Sequence, residues 1–187
     1  VPMTVGVMDM ARYGQPTLLT PFVMAGASTP ATIAGAMALN TAEVLFGLTL
    51  AQLVRPGAPV LYGCAAMNVD MKTGAPAYGL ADMHRCTVIG GQLARRYRLP
   101  LRSSNFSSSN IADFASGYES ANAVSAAMAS GANLLMHAAG WLEGGLCTSY
   151  EKFVLDCEIV QTAQQMLEPV VVNADTLAFD EMEKVGP

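Results

Sequence analysis

Four short apolar runs decide the fold, and each is followed by a polar or glycine-rich loop and then by a helical pattern. The runs are Thr17-Leu-Leu-Thr-Pro-Phe-Val23, Pro59-Val-Leu-Tyr-Gly-Cys64, Leu99-Pro-Leu-Arg-Ser103 and Asn133-Leu-Leu-Met-His137. We predict a β-strand at each run, and helices over residues 31–54, up to about 97, and over 117–130, 149–167 and 174–184. Strands that alternate with helices in this way are typical of a parallel sheet covered by helices.

Two architectures fit this pattern, a doubly wound sheet and a (β/α)8 barrel, and in both the ligand binds beyond the carboxyl ends of the strands. The sequence contains neither G-x-G-x-x-G after the first strand nor a P-loop motif, which weakens the nucleotide-binding alternatives. A complete barrel needs about 250 residues. We therefore predict an α/β fold in which residues 1–187 form a single domain, about four βα units or roughly half of a TIM-type barrel.

Charged residues make up 13% of the chain, and 15 Asp and Glu outnumber 10 Lys and Arg. This acidic balance argues against a nucleic-acid partner, since nucleic-acid binding requires clustered Lys and Arg. So low a charge content also predicts that protein covers much of the surface, and we expect a homo-oligomer.

A membrane span is not predicted, although residues 13–42 carry no charged side chain, because Pro16, Pro21 and Pro30 interrupt the stretch. No basic segment followed by an apolar one opens the chain, so no signal peptide is expected. The four cysteines lack metal-ligand spacing, which favours reduced thiols, a cytoplasmic location and no metal site. Because the chain begins at Val1 rather than at Met, we expect its N-terminus to be missing or processed.

The loop after the fourth predicted strand carries the strongest candidates for substrate binding. His137 ends the strand, and Trp141 and Glu143 follow among glycines that permit unusual backbone turns. The alternative is a structural role, with His137 hydrogen-bonded at the edge of the sheet and Trp141 sealing the core.

Three weaker candidates lie on the other loops and strands. Asn105 opens a polar loop, Asn105-Phe-Ser-Ser-Ser-Asn110, while Tyr62 and Tyr78 offer aromatic faces of the kind that enclose quaternary ammonium groups. Packing and turn formation are the alternatives for all three. No catalytic residue can be named, since no acid/base pair and no nucleophile–His arrangement is identifiable.

Other polar residues are assigned structural roles. We expect Glu119 and Glu151 to complement the dipoles of helices that they begin. His84 is predicted to lie on the surface.

Several longer motifs resemble the trimethylamine methyltransferase family. They are Gln15-Pro-Thr-Leu-Leu-Thr-Pro21, Met24-Ala-Gly-Ala27, Ala51-Gln-Leu-Val-Arg-Pro-Gly-Ala-Pro-Val60, Gly74-Ala-Pro-Ala-Tyr-Gly79, His137-Ala-Ala-Gly-Trp-Leu-Glu-Gly-Gly-Leu146 and Ser149-Tyr-Glu-Lys-Phe-Val154. The resemblance runs from about Gly14 to the end of the chain, and it implies a fragment of a longer barrel protein.

The resemblance further implies methyl transfer from a methylated amine to the cobalt of a corrinoid (cobalamin), which a separate corrinoid protein presents. No cofactor is then bound directly. Archaeal trimethylamine enzymes use pyrrolysine, which this chain lacks; the loop 105–110 is the neighbourhood in which we place its equivalent. Relatives without pyrrolysine act on quaternary amines such as glycine betaine, whose nitrogen leaves as a neutral tertiary amine.

Two other functions compete with this prediction. A non-catalytic barrel protein would bind a betaine-like ligand or dock the corrinoid protein without methyl transfer. An unrelated lyase or aldolase would need a catalytic Lys at a strand end, and neither Lys72 nor Lys152 is predicted there.

Overall fold

The computed structural model describes residues 2–186, which form helices packed on a parallel sheet. The helices are α1 (Pro2–Arg12), α2 (Ile33–Val54), α3 (Ala81–Tyr97), α4 (Phe114–Ser130), α5 (Tyr150–Leu167), α6 (Ala174–Leu177) and α7 (Phe179–Val185). The strands are β1 (Thr17–Leu19), β2 (Val23–Ala25), β3 (Val60–Gly63), β4 (Ala66–Asn68), β5 (Leu101–Ser104), β6 (Leu134–Met136), β7 (Trp141–Leu142) and β8 (Cys147–Thr148), with a 3-10 turn at Glu143–Gly145.

The main sheet has four parallel strands in the order β1-β3-β5-β6. Each strand is connected to its neighbour through a helix, so the predicted alternation of strands and helices is confirmed. The prediction was about four βα units of a barrel; the four strands of residues 2–186 form an open parallel sheet.

The first predicted strand is divided into two, and an unpredicted strand follows the second. Pro21 interrupts the first, because proline has no N–H to donate to the strand ladder, and the chain resumes as β2. The second predicted strand is β3, and β4 is an additional strand in the segment that was predicted to be a loop. β2 and β4 then pair with each other in a separate parallel sheet, in which Val23 lies opposite Ala66 as Thr17 lies opposite Val60.

The two faces of the main sheet differ in what covers them, since neighbouring residues along a strand point to opposite faces. The helix-facing set is buried in the main core: Leu19, Val60, Tyr62 and Leu101. The opposite set carries Leu18 and Leu134, which are 37% and 39% exposed, together with Leu61, Arg102 and Met136. We call this partly covered side the open face of the sheet, although Arg102 on it is only 5% exposed.

Within residues 2–186, α2 is the one helix long and apolar enough to cross a membrane by length and composition. It begins after all three prolines that interrupt the stretch considered above, with Thr32 as its N-cap. Its buried residues include Ala36, Met37, Val44 and Ala51, which belong to the main core. This spacing is that of a helix packing one face onto a sheet.

The last predicted helix, over residues 174–184, is divided into α6 and α7. The break lies at Ala178, whose φ of 50° is left-handed and cannot continue a right-handed helix. The boundaries of the other predicted helices agree with the structure to within a few residues.

Candidate functional site

The long loops after β4, β5 and β6 meet at the carboxyl edge of the sheet and bring four aromatic rings together. Phe106 is at the centre: its ring centroid lies 4.8 Å from Tyr78, 4.8 Å from His137 and 5.7 Å from Trp141. The His137 and Trp141 centroids are 4.1 Å apart. We call Tyr78, Phe106, His137 and Trp141 the aromatic cluster.

Three members of the aromatic cluster were predicted from the sequence, whereas Phe106 was not. It is the one aromatic residue in the polar loop 105–110, and that position between Asn105 and Ser107 was a usable signal. Phe106 contacts all three of the other rings. Because each aromatic contact contributes about 0.5–1.5 kcal/mol beyond its buried area, these contacts hold the three rings in place.

His137 adopts a left-handed backbone conformation, with φ of 53°, as the chain leaves β6. Its Nδ1 lies 3.2 Å from a guanidinium nitrogen of Arg102 and 3.2 Å from Oγ of Ser104. Arginine can only donate, so Nδ1 accepts and the ring is neutral with its proton on Nε2. Burial, and secondarily the charge of Arg102, lower the pKa of His137, in agreement with a neutral ring.

Arg102 is buried in β5, with 5% of its surface exposed. Its Nε is buried without a hydrogen-bond partner, and no Asp or Glu among residues 2–186 lies within 4.0 Å of its guanidinium nitrogens. Burial lowers the pKa of Arg102. Sequence reasoning missed this residue, because a single Arg within a short run looks like an exposed strand position.

Asn105 connects the loops after β5 and β6. Its side-chain Nδ2 donates to the carbonyl oxygen of Ala138 over 3.0 Å, and the residue is 2% exposed. Its Oδ1 is buried without a hydrogen-bond partner in the described chain. Asn105 therefore lies beside the turn that carries His137, with one polar atom free.

Glu119 organises the polar loop, and the helix-dipole role predicted for it is wrong. Because α4 begins earlier than predicted, at Phe114, Glu119 lies beyond the first turn. Its Oε2 instead accepts hydrogen bonds from the hydroxyl of Ser107 at 2.6 Å and the backbone N–H of Ser108 at 2.8 Å, and two longer ones from Ser109. The carboxylate thus fixes the loop that carries Phe106.

His84 is another correction. It lies in the first turn of α3 and is half-buried, with its Nε2 buried and unpartnered among the described residues. Its side chain is therefore not on the surface as predicted, and its burial lowers its pKa.

Glu143 lies at the rim of the site, beside the aromatic cluster. It is exposed, with φ of 51°, and its backbone N–H donates to Ser109 over 3.0 Å. It lines an open cleft of about 490 Å³ together with Tyr78, Ser108, Asn110 and Gly144.

The glycines beside Glu143 allow the loop to lie directly on the rings. A Cβ at Gly144 would be 2.7 Å from Cε2 of Tyr78, and one at Gly145 would collide with Cζ3 of Trp141. Both have positive φ, which glycine adopts without strain.

Tyr62 lies apart from the aromatic cluster. It is fully buried on the helix-facing side of the sheet, where its hydroxyl is 2.9 Å from Oγ1 of Thr41 and 3.2 Å from Nδ2 of Asn40. Of the six predicted binding residues, the structure thus brings together Tyr78, His137 and Trp141, with Asn105 and Glu143 on adjoining loops.

Comparison with known proteins identifies the family. The model of the trimethylamine methyltransferase (MTTB) family matches residues 1–187. The chain belongs to this family. The match extends further than the predicted resemblance, which began at about Gly14.

Curated relatives in the trimethylamine methyltransferase family differ in their amine. The chain is 38% identical to a glycine betaine methyltransferase of Desulfitobacterium hafniense, over 97% of this chain and 38% of the relative. It is 36% identical to trimethylamine methyltransferase MttB1 of Methanosarcina mazei, over 96% of this chain and 36% of the relative. A proline betaine:corrinoid methyltransferase of Eubacterium limosum is 29% identical, over 97% of this chain and 38% of the relative. The chain thus spans little more than a third of these family members.

A buried ion pair in α5 supports the loop after β6, which carries His137 and Trp141. Lys152 and Asp156 of α5 are each 1% exposed and form a salt bridge. Nζ of Lys152 also donates to Oγ of Ser120 at 2.6 Å, and Oδ2 of Asp156 accepts from the backbone N–H of Gly140 at 2.9 Å. The sequence analysis predicted that Lys152 does not lie at a strand end, and the structure places it in α5. Its contacts give it a structural role.

Proposed function

We propose that the full-length protein transfers a methyl group from a quaternary amine, such as glycine betaine, to the cobalt of a corrinoid carried by a separate protein. The aromatic cluster at the carboxyl edge of the parallel sheet is the observation that carries this proposal. Aromatic faces attract a quaternary ammonium group that can form no hydrogen bond. The names of the betaine-specific family members support the same substrate class.

Methyl transfer from a quaternary amine needs little acid or base catalysis by the protein. The methyl carbon accepts the electron pair of reduced cobalt, while the pair of the breaking C–N bond stays on nitrogen, which departs as a neutral tertiary amine. A neutral His137 suits this reaction because it adds no positive charge beside the cation. The protein then acts by holding the cation, excluding water and orienting one methyl group.

We assign substrate binding to Trp141, His137 and Tyr78, with Phe106 as their central packing partner. Asn105 holds the turn that carries His137, and Glu143 lines the entrance. Tyr62 is left out of the set, because it faces α2 on the other side of the sheet.

We further propose that the sheet is part of a (β/α)8 barrel completed by other segments of a longer protein. The open face with Leu18, Leu61 and Leu134 supports this proposal, because a barrel buries such a face in its interior. The position of the aromatic cluster, at the carboxyl ends of the strands, is where barrel enzymes carry their sites.

The test uses the full-length protein mixed with its corrinoid protein in the reduced state. Glycine betaine, other betaines, choline and trimethylamine are added in turn, and the visible spectrum reports methylation of the corrinoid. Methylation by a quaternary amine is the expected result. Methylation by trimethylamine alone would contradict the leaving-group argument, and ligand binding without methylation would indicate the non-catalytic binding protein.

Trp141→Ala tests the aromatic cluster in the same assay. Loss of a desolvated cation–ring contact of about 2 kcal/mol is expected to raise KM for the quaternary amine by about 30-fold. Tyr13→Ala is the matched control, since Tyr13 is 79% exposed and precedes β1 at the opposite edge of the sheet. An unchanged KM for Trp141→Ala would remove Trp141 from the site.

A further inference from the structure

Glu119 of α4 is hydrogen-bonded to the loop after β5 and, through it, is connected to the loops after β4 and β6. Its Oε2 accepts two short hydrogen bonds, from the hydroxyl of Ser107 at 2.6 Å and the backbone N–H of Ser108 at 2.8 Å. The backbone N–H and the hydroxyl of Ser109 add two longer ones at 3.3 Å. Hydrogen bonds to a carboxylate are stronger than those between neutral groups. The carboxylate therefore fixes the three residues that directly follow Phe106.

Residues 107–109 are in turn hydrogen-bonded to the loop after β6. The backbone N–H groups of Glu143 and Gly144 donate to carbonyl oxygens within 107–109, over 3.0 and 2.7 Å. The adjoining Gly145 lies so close to Trp141 that a Cβ would collide with the ring atom Cζ3. The position of the indole ring thus depends on the segment that the carboxylate holds.

The loop after β4 is fixed by two contacts with the same group of residues. The hydroxyl of Ser108 donates to the carbonyl oxygen of Tyr78 over 3.0 Å. Gly79, whose φ is 74°, lies against the side chain of Glu119, where a Cβ would collide with Cγ. The rings of Tyr78 and Phe106, with centroids 4.8 Å apart, are in this way brought together from two different loops.

Neither α4 nor the main core depends on this carboxylate. Asp113 and Ser116 form a capping box that satisfies the start of α4. Among residues 2–186, the main core includes none of the segment 105–119. Loss of the Glu119 side chain is therefore expected to release the loops while the helix and the core stay in place.

We propose that Glu119 is a positioning residue of the site, which keeps the aromatic cluster assembled for the amine by holding the three loops together. This inference rests on the proposed function, since it requires that the cluster binds the amine. Rings that are already in place bind a ligand without the cost of ordering them. When only a fraction of the molecules has the cluster assembled, the apparent Kd rises by the inverse of that fraction.

Calorimetric binding of glycine betaine to the full-length protein tests this role. Glu119→Ala removes the acceptor, and if the cluster is then assembled in about one molecule in ten, Kd rises about 10-fold. Glu119→Gln keeps an oxygen at the same reach without the charge and should raise Kd less. Glu158→Ala is the matched control, because Glu158 is an exposed glutamate on the neighbouring helix α5 and should leave Kd unchanged.

A double variant distinguishes positioning of the cluster from other effects on binding. Trp141→Ala already removes part of the cluster, so adding Glu119→Ala to it should raise Kd by clearly less than about 10-fold. An equally large further rise would mean that Glu119 affects the ligand by another route, and would overturn the proposal. So would an unchanged Kd for Glu119→Ala. Urea denaturation shows whether this variant is folded under the conditions of the binding experiment, and if it is not, Glu119→Gln decides by the same two comparisons.

The two proposals fail in different ways. Glu119-dependent binding of glycine betaine without methylation of the corrinoid would contradict the methyltransferase function and retain the positioning role. Methylation with the same KM for glycine betaine in the wild type and in Glu119→Ala would retain the function and contradict the positioning role.

Discussion

Lys152 and Arg102 are both buried cations, but their surroundings differ. Lys152 lies between α4 and α5 with the carboxylate of Asp156 and the hydroxyl of Ser120 as partners. Arg102 lies at the open face of the sheet with a neutral imidazole and no carboxylate of residues 2–186 beside it. The two buried cations therefore differ in whether the described residues supply a counter-charge.

The same contrast separates the two tyrosines predicted for the site. The hydroxyl of Tyr62 is bonded to side chains of α2, whereas the ring of Tyr78 packs on Phe106 and lines the open cleft. The helix-covered side is thus expected to govern the free energy of unfolding, and the carboxyl edge to govern ligand binding.

The largest expected effect breaks the structural ion pair. Asp156→Ala leaves Lys152 buried without a counter-charge and removes the acceptor of the Gly140 N–H, which should lower the free energy of unfolding by about 3–5 kcal/mol. Arg102→Gln should cost much less, because no acidic partner is left behind. Urea denaturation of the full-length protein measures both.

The exposed pair of Lys184 and Glu181 provides the control for the ion pair. Their side chains are 68% and 69% exposed, so Lys184→Ala should change the free energy of unfolding little. If Asp156→Ala destabilises no more than Lys184→Ala, the distinction between the two buried cations is lost.

The next effect concerns the approach of the loop to the aromatic cluster. Gly145→Ala places a methyl group against Trp141 and is expected to displace the ring, raising KM for the amine by about 10-fold, equivalent to 1.4 kcal/mol. Gly57→Ala is a matched control: its φ of 83° is close to the 92° of Gly145, but no heavy atom lies within 4 Å of the added carbon. An equal change in KM for both variants would mean that backbone strain, and not displacement of Trp141, causes the effect.

The sequence was sufficient to predict the parallel sheet and the edge at which its long loops meet. Apolar runs that start near 17, 59, 99 and 133, separated by long helical patterns, correspond to β1, β3, β5 and β6. The division of the first strand could also have been expected, since Pro21 cannot donate to a ladder. Closure into a barrel is a matter of long-range packing, and these residues leave one face of the sheet open.

The site was predicted less completely, for physical reasons that particular residues illustrate. In strands as short as β3 and β5 apolar residues do not alternate regularly with polar ones, so the sequence does not tell which face Tyr62 or Arg102 occupies. Glu119 was misassigned because α4 begins at Phe114, before the predicted start, so that its carboxylate reaches back to Ser107–Ser109 in the preceding loop. Contacts between residues far apart in sequence leave no local pattern.

A smaller effect compares the two tyrosines directly. Tyr62→Phe removes the hydroxyl shared by Asn40 and Thr41 and should lower the free energy of unfolding by about 1 kcal/mol with KM unchanged. Tyr78→Leu removes a ring of the aromatic cluster and should raise KM by a few-fold, corresponding to about 0.5–1.5 kcal/mol. Denaturation and steady-state assays of both variants in the full-length protein separate the two roles. A rise in KM for Tyr62→Phe would return Tyr62 to the site.

The smallest effect is the pH dependence caused by His137. Because its pKa in the folded protein is lowered by burial and by Arg102, the unfolded chain binds a proton at a higher pH than the folded one. The contribution of His137 to the free energy of unfolding is therefore fully present above the unfolded pKa of about 6.5. It declines as the pH falls from there to the folded pKa, and below the folded pKa it levels off. Amine binding should weaken at lower pH, as the pH falls through the folded pKa, since an imidazolium then adds positive charge beside the cation.

His137→Gln should flatten both pH profiles, measured as the urea midpoint and as Kd for tetramethylammonium in the full-length protein. The pKa of His84 is also lowered by burial, so His84→Gln should flatten the stability profile while leaving the binding profile as it was. This difference separates a titration at the site from one in the fold. A binding profile that keeps its shape in His137→Gln would show that protonation of His137 does not change the charge next to the ligand.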